Sequence, residues 1–367
     1  LKPLQLFHRT VTAPAAGIGA GRRRLIEHLH YVENRLADHL SNSLSQDSSR
    51  HQTRSMATEY LFLLASVVTL ARNLQHLNIV SPETEDISFW SNILPHVGTP
   101  SFQKLGSVCV QVHTYGNMLM DDKVASFHGI CAELTSAPLL VDLRASGFTP
   151  SSWAHSFHVE FKALQRLELT ECCLDVGNVL ELWTACGRLQ HIACEWAFLM
   201  AVEASPKDLY AGLLRHKSTL RTLHLDMREV RFDDAFVVPA KLGSLQPFTA
   251  LESVRICETT LLGHVWSLTC FPEQVLQCRI TELLPVSLEA FTLLVLGNQD
   301  MENISRLDEP LILWNFVNDC QRSFPALKEI CIEGSHSLHA PRTARAFDEI
   351  GVQFDLVEHP MHGASLT

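Results

Sequence analysis

The chain has 367 residues, 46% of them hydrophobic, enough for a sizeable core and, by length alone, for two or three domains. Its 29 Lys and Arg against 40 Asp and Glu give a formal charge of −11, which repels phosphate backbones and argues against nucleic-acid partners. Eleven cysteines, an odd number at irregular spacing, fit a reducing cytoplasmic or nuclear setting better than a disulfide-stapled secreted fold.

From the N-terminus, residues 1–24 read as a linker. No acidic residue comes before Glu27, and Arg22, Arg23 and Arg24 give this segment a superficial likeness to a transit peptide. Its "GIGAGRRR" lacks the spacing, the preceding apolar strand and the following Lys-Ser/Thr of a phosphate loop. The stretch "ATEYLFLLASVVTLAR" reads as a helix; its apolar run from Tyr60 to Ala71 is twelve residues, short of the roughly 20 that span a membrane. A strand pattern follows in "RNLQHLNI" (Leu74, Leu77, Ile79), then "QKLGSVCV" (Leu105, Val108, Val110). Next comes "APLLVDL", where Pro138 takes the first place before Val141 and Leu143. "LQRLELTECCL" supplies Leu164, Leu167, Leu169, Cys172 and Leu174. "DVGNVLELWTACG" then sets Val176, Val179, Leu180 and Trp183 on one helical face, with Gly187 as a stop.

"GRLQHIAC" (Leu189, Ile192, Cys194) returns to the strand pattern, and "SPKDLYAGLLRHK" reads as a helix with Pro206 near its start and Leu209, Leu213 and Leu214 inward. "STLRTLHL" (Leu220, Leu223, Leu225), "TALESVRI" (Leu251, Val254, Ile256) and "VSLEAFTL" (Leu288, Phe291, Leu293) continue the series. The loop "GNQDMENISRLDE" precedes a helix in "EPLILWNFVNDCQRSF", the strand "PALKEICI" (Leu327, Ile330, Ile332), and a last helix and strand in "FDEIGVQFDLVE" (Val352, Phe354, Leu356). The sequon Asn303-Ile304-Ser305 in that loop matters only in a secretory compartment.

The recurring unit is L-x-x-L-x-L-x-x-C-x-L, most complete from Leu164 to Leu174, with first positions 31, 33, 26, 25, 31, 31, 37 and 39 residues apart. This is the leucine-rich-repeat pattern, in which a strand–helix unit cannot bury its apolar face alone and depends on its neighbours. It assigns Cys172 to the turn position as scaffolding, with Cys173 merely following, rather than to a metal or redox pair. The expected fold is α/β: a curved horseshoe solenoid over residues 25–357, with a parallel sheet on the concave face, helices on the convex face, and a tail at 358–367.

The chain resembles leucine-rich-repeat proteins of filamentous fungi, many of which carry an F-box ahead of the repeats. The likeness spans Leu25 to Leu356 and rests on "LTECCLDVGNVLELWTACGRLQHI", "LRTLHLDM" and "LGSLQPFTALESVRI…LLG…ITELLPVSLEAFTL". "RLIEHLHYVENRLADHL" also resembles the helix leading into the first strand of such proteins. The resemblance implies a non-catalytic protein-interaction module, the substrate-recognition part of an F-box-type ubiquitin-ligase receptor. No segment matches the F-box that would dock a ligase adaptor; "LLPVSLEAF" has an F-box-like opening, but its Leu288, Phe291 and Leu293 fall in the strand frame. An assembly scaffold without a ubiquitin role is the alternative, and an enzyme with an unrecognised pocket the remote one.

No catalytic motif is present: there is no G-x-S-x-G elbow and no H-E-x-x-H helix. His28 and His30, and His336 and His339, lack cysteines at zinc-ligand spacing, and Asp233 with Asp234 is a lone pair in a loop. No metal, cofactor or membrane partner is expected. Residues between the inward leucines should instead form polar ladders across the sheet, the central one running Asn78, Cys109, Asp142, Glu168, Ala193, His224, Arg255, Thr292 and Cys331. His191, Thr222, His224, Asp226, Ser253 and Arg255 form the expected partner-binding patch, with Arg255 and His224 at its centre.

Overall fold

The computed structural model describes residues 59–68 apart from 61, 62 and 67; 74–81; 102–112; 127–148; 160–232 apart from 198, 203 and 204; 241–263; 279–295; 311–334; and 340–358. The linker at 1–24, the histidine pairs His28/His30 and His336/His339, the pair Asp233/Asp234 and the loop at 297–309 lie outside these residues. The chain divides into two compact units, Leu1–Leu164 and Gln165–Thr367.

In the first unit, Tyr60, Leu64, Ala65 and Val68 are helical and buried. Three strands follow, β1 (His76–Ser81), β2 (Ser107–Val112) and β3 (Asp142–Ser146), with the helix α1 (Phe127–Leu134) before β3. They pair in parallel in the order β1-β2-β3, with Leu77 opposite Val108 and Val108 opposite Leu143. The frame expected for the third repeat is corrected here. Pro138 and Val141 are exposed, Val141 at 39%, while Leu140, Leu143 and Ala145 are buried. The repeat therefore starts at Leu140, and Arg144, not Asp142, lies opposite Cys109 in the central ladder. Asp142 faces Ser107, whose hydroxyl donates to it at 3.2 Å, and Arg144 pairs back to it at 3.0 Å.

The second unit carries a parallel ladder of β4 (Arg166–Cys172), β5 (His191–Trp196), β7 (Thr222–Asp226), β9 (Ser253–Cys257), β10 (Ala290–Val295), β11 (Glu329–Gly334) and β12 (Gln353–Glu358). Inward positions repeat in register: Leu167 opposite Ile192, Ile192 opposite Leu223, Leu223 opposite Val254, Val254 opposite Phe291, Phe291 opposite Ile330. All of them are buried, so the two-residue period of the strands divides each into a core side and an open side. Leu288, Phe291 and Leu293 are among the buried residues, which keeps "LLPVSLEAF" within the repeat.

Between strands, α2 (Val176–Thr184), α3 (Pro206–Leu214), the short α4 (Glu258–Leu262), α5 (Leu311–Ser323) and α6 (Pro341–Glu349) return the chain. The start of α3 follows from its sequence. Ser205 caps it in a reciprocal box with Asp208, and Pro206 occupies the first turn, where its missing N–H costs nothing. α2 buries Val176, Val179, Leu182 and Trp183, whereas Leu180 is half-buried toward Gly212, where an added Cβ would lie 2.7 Å from its Cδ1. Gly212 is what lets α2 and α3 approach. Farther along, Phe316 of α5 meets Phe291, Phe324 and Phe347 edge-on, and Phe347 stacks on Phe354 at 5.2 Å. A two-stranded pair outside the ladder, β6 (Leu199–Val202) with β8 (Val230–Phe232), was not foreseen from the repeat pattern.

Polar groups tie successive repeats together. The hydroxyl just before a repeat's first leucine donates to the first leucine's carbonyl in the preceding repeat: Thr219 to Leu189 at 2.9 Å, Ser287 to Leu251 at 2.8 Å. His216 is fully buried between repeats; its Nε2–H donates to the Trp183 carbonyl at 3.1 Å while Nδ1 accepts from Leu189 N–H at 3.3 Å. Both bonds are met by the neutral ring, and burial lowers its pKa.

Candidate binding face

Cys172, at the end of β4, and the adjoining Cys173 are both buried. Cys172 is 3% exposed, and its thiol donates to the Thr170 carbonyl at 3.3 Å; the Trp196 indole opposite donates to the Leu174 carbonyl at 2.9 Å. Among the described residues no disulfide joins the cysteines, and burial pushes the pKa of Cys186 up to about 12. A thiol shifted that far is a poor nucleophile. Among the described residues, no group of three or more His, Cys, Asp or Glu is placed to hold a metal ion, and no helix is long and apolar enough to cross a membrane.

The open side of the second unit's ladder is polar along its length. Its first row runs Arg166, His191, Thr222, Ser253, Ala290, Glu329 and Gln353. The second runs Glu168, Ala193, His224, Arg255, Thr292, Cys331 and Asp355. Parallel pairing places each row at one level because the inward leucines fix the register and a one-residue slip would turn every core side chain outward.

Five of the six expected patch residues lie together on this side. His191 Nδ1 and Thr222 Oγ1 are 3.1 Å apart, Ser253 is next to Thr222 in register, and His224 is next to Arg255. The sixth, Asp226, shares the strand but is only 5% exposed. It presents little to a partner and instead receives two parallel bonds from Arg228, Nε to Oδ1 at 3.0 Å and Nη2 to Oδ2 at 2.6 Å. Burial pushes the Asp226 carboxyl up, but the hydrogen bonds and charge of Arg228 more than offset this and hold it below the usual range. Sequence reasoning missed Arg228 because it falls beyond the last alternating position of β7; an Arg two residues after a strand-end Asp was the available signal.

Arg255 is engaged as well. Its Nη2 reaches over β10 to Glu333 on β11 at 2.6 Å. Beside it, His224 is largely buried, and that burial together with the Arg255 charge lowers its pKa to about 4, so the ring is neutral at pH 7. Glu195 has the opposite fate: burial and the neighbouring Asp226 charge raise its pKa. At the other end of β4, Glu171 interrupts the pairing with β5 between Leu169 and Cys172, taking a left-handed φ of 51°. The central pair expected to anchor binding is therefore built into the face by ion pairing and burial.

A family model described as a leucine-rich repeat domain matches residues 101–360. No curated protein matches the chain. With the match covering well over half its length, the chain belongs to the leucine-rich-repeat family. Stacked repeats of this kind present extended surfaces used for protein recognition.

Proposed function

Starting from its membership of the leucine-rich-repeat family, we propose that the chain is a non-catalytic protein-recognition module whose partner lies on the open side of the ladder in the second unit. The observation that supports this best is the in-register polar row His191, Thr222 and Ser253, flanked by the His224–Arg255 row. Seven strands at about 4.8 Å spacing give a face close to 30 Å across, the scale of a protein segment rather than of a small substrate.

The finer reading is the substrate-recognition repeat domain of an F-box-type ubiquitin-ligase receptor, acting in the cytoplasm or nucleus. It is supported by the resemblance of three stretches to repeat proteins that carry an F-box. Under this reading the ligase adaptor is bound only through an F-box ahead of Leu1, while the substrate occupies the sheet face.

The test compares capture of the native partner by the parent chain, by Ser253→Tyr, and by a pair on the helices, Glu181→Ala with Lys207→Ala. Ser253→Tyr should reduce capture more than fivefold with the melting temperature retained, and the helix pair should leave capture intact. Loss only with the helix pair would put the binding surface on the helices. Recovery of stable assemblies that never include a ubiquitin-ligase adaptor, using the full gene product, would assign a scaffold role instead.

A further inference from the structure

The charges on the open side of the second unit are not evenly mixed. At one end, Glu171, Glu195 and Asp226 sit on three successive strands, close enough that both Asp226 and Glu171 disfavour ionisation of Glu195. At the other, Glu329, Glu333 and Asp355 surround Cys331 on β11 and β12. Arginines on this side are engaged, Arg166 with Glu168, Arg228 with Asp226, and Arg255 of the central β9 with Glu333. With Asp226 nearly buried under Arg228 and Glu333 bound to Arg255, one end presents Glu171 and Glu195 and the other Glu329 and Asp355, while the rows between carry His191, Thr222, Ser253 and Thr292 together with the neutral His224.

A half-buried carboxylate without a cation is poorly solvated and repelled by its neighbours; an incoming cation relieves both costs. Glu195 approaches this case: burial and the charges of Asp226 and Glu171 raise its pKa, and the more distant charges of Arg255 and Arg228 offset them only in part. From the β5–β7 end to the β11–β12 end is four strand spacings, about 19 Å. Six residues of extended chain cover that distance.

Resting on the sheet-face reading above, we propose that this face receives an extended partner segment with Lys or Arg at both ends and small polar residues between, its two basic ends about 19 Å apart. Each basic end meets one acidic pole, and the polar centre lies over Thr222 and Ser253. Such pairing gives specificity and salt-dependent association more than raw affinity.

The test uses the full chain and a fluorescent peptide of about eight residues, two lysines at each end and serines between, read by anisotropy at several salt concentrations. Neutral-ended and glutamate-ended peptides serve as controls. Binding of the basic peptide should weaken at least fivefold in Glu171→Gln with Glu195→Gln, and equally in Glu329→Gln with Asp355→Asn, and should fall as salt rises. Glu181→Gln with Glu349→Gln on the helices should change nothing. The proposal is overturned if the basic peptide does not bind at low salt, if the neutral-ended peptide binds as well, or if the pole variants bind like the parent. If Ser253→Tyr still blocks native-partner capture while the pole variants do not weaken it, the sheet face stands and the basic segment falls; if Ser253→Tyr has no effect on capture, the sheet face falls first.

Discussion

Glu258 and His224 are buried titratable groups that pull the pH dependence of folding in opposite directions. Glu258 is 1% exposed, neither carboxyl oxygen has a hydrogen-bond partner, and burial raises its pKa to about 8. Between the ordinary carboxylate value and 8 the folded state holds a proton that the unfolded state has released. Stability is then fully present below the unfolded pKa and is lost as pH rises, by about 1.4 kcal/mol per unit. His224, lowered to about 4, behaves the other way: the unfolded chain binds the extra proton between 6.5 and 4, so stability is lost as pH falls through that window. The two slopes oppose each other between 4.5 and 6.5, and from 6.5 to 8 the slope of Glu258 is no longer opposed by His224. Denaturant melts should therefore show stability falling above pH 6.5, and Glu258→Gln should flatten that fall. An unchanged slope in the variant would assign the decline to other groups. His224→Gln should reduce the acid-side loss without abolishing it, since burial also lowers the pKa of His216. His216→Leu removes a group that satisfies both Leu189 N–H and the Trp183 carbonyl, and should cost about 2–4 kcal/mol in the same melts. Neither Glu258 nor His216 was marked by the sequence, because burial without a motif leaves no periodic signal.

Repeat strands were legible where large apolar residues filled all three inward positions and illegible where a small one did. Leu167, Leu169, Leu223, Leu225, Val254 and Ile256 are all buried as their spacing predicts. In the third repeat the pattern sets Pro138, Val141 and Leu143 inward. Pattern matching favoured the valine, whereas the fold buries Ala145 to 2% and leaves Val141 exposed. The corrected frame makes a direct prediction. Leu140→Ala should cost about 2–5 kcal/mol, because it empties a buried site, while Val141→Thr should cost well under 1. Similar losses for both would restore the original frame. Leu167→Ala against Glu168→Ala is the matching comparison in the second unit, and only the leucine change should fall in the larger range. On the open side, the strand period sets His191, Thr222 and Ser253 in one row and His224 with Arg255 in the next, but alternation says nothing about exposure. That is why Asp226 belonged to the face by period and to the interior by packing with Arg228 and Cys257.

At the scale of the molecule, each repeat in the second unit leans on its immediate neighbours, so damage should stay local. The aromatic chain in the C-terminal repeats tests this. Phe316 touches Phe291 of β10, Phe324 at the end of α5, and Phe347 of α6, which in turn stacks on Phe354 of β12. Phe316 and Phe347 are 1% and 0% exposed, so Phe316→Ala opens a cavity at the meeting point of three repeats and should cost about 3–5 kcal/mol. In a quasi-one-dimensional stack that energy is withdrawn from the interfaces on either side of the cavity, not from the unit as a whole. Amide hydrogen exchange should then show lost protection in β10, β11 and β12, with β4, β5 and β7 close to the parent. The polar staples in the earlier repeats, Thr219 to Leu189 and His216 to Trp183, are untouched by the substitution and should hold those strands in place. A uniform loss of protection from β4 to β12 would mean that the second unit unfolds as one cooperative body. The sheet face would in that case be lost whenever its C-terminal repeats open, and partner binding at Glu195 would fall together with binding at Asp355.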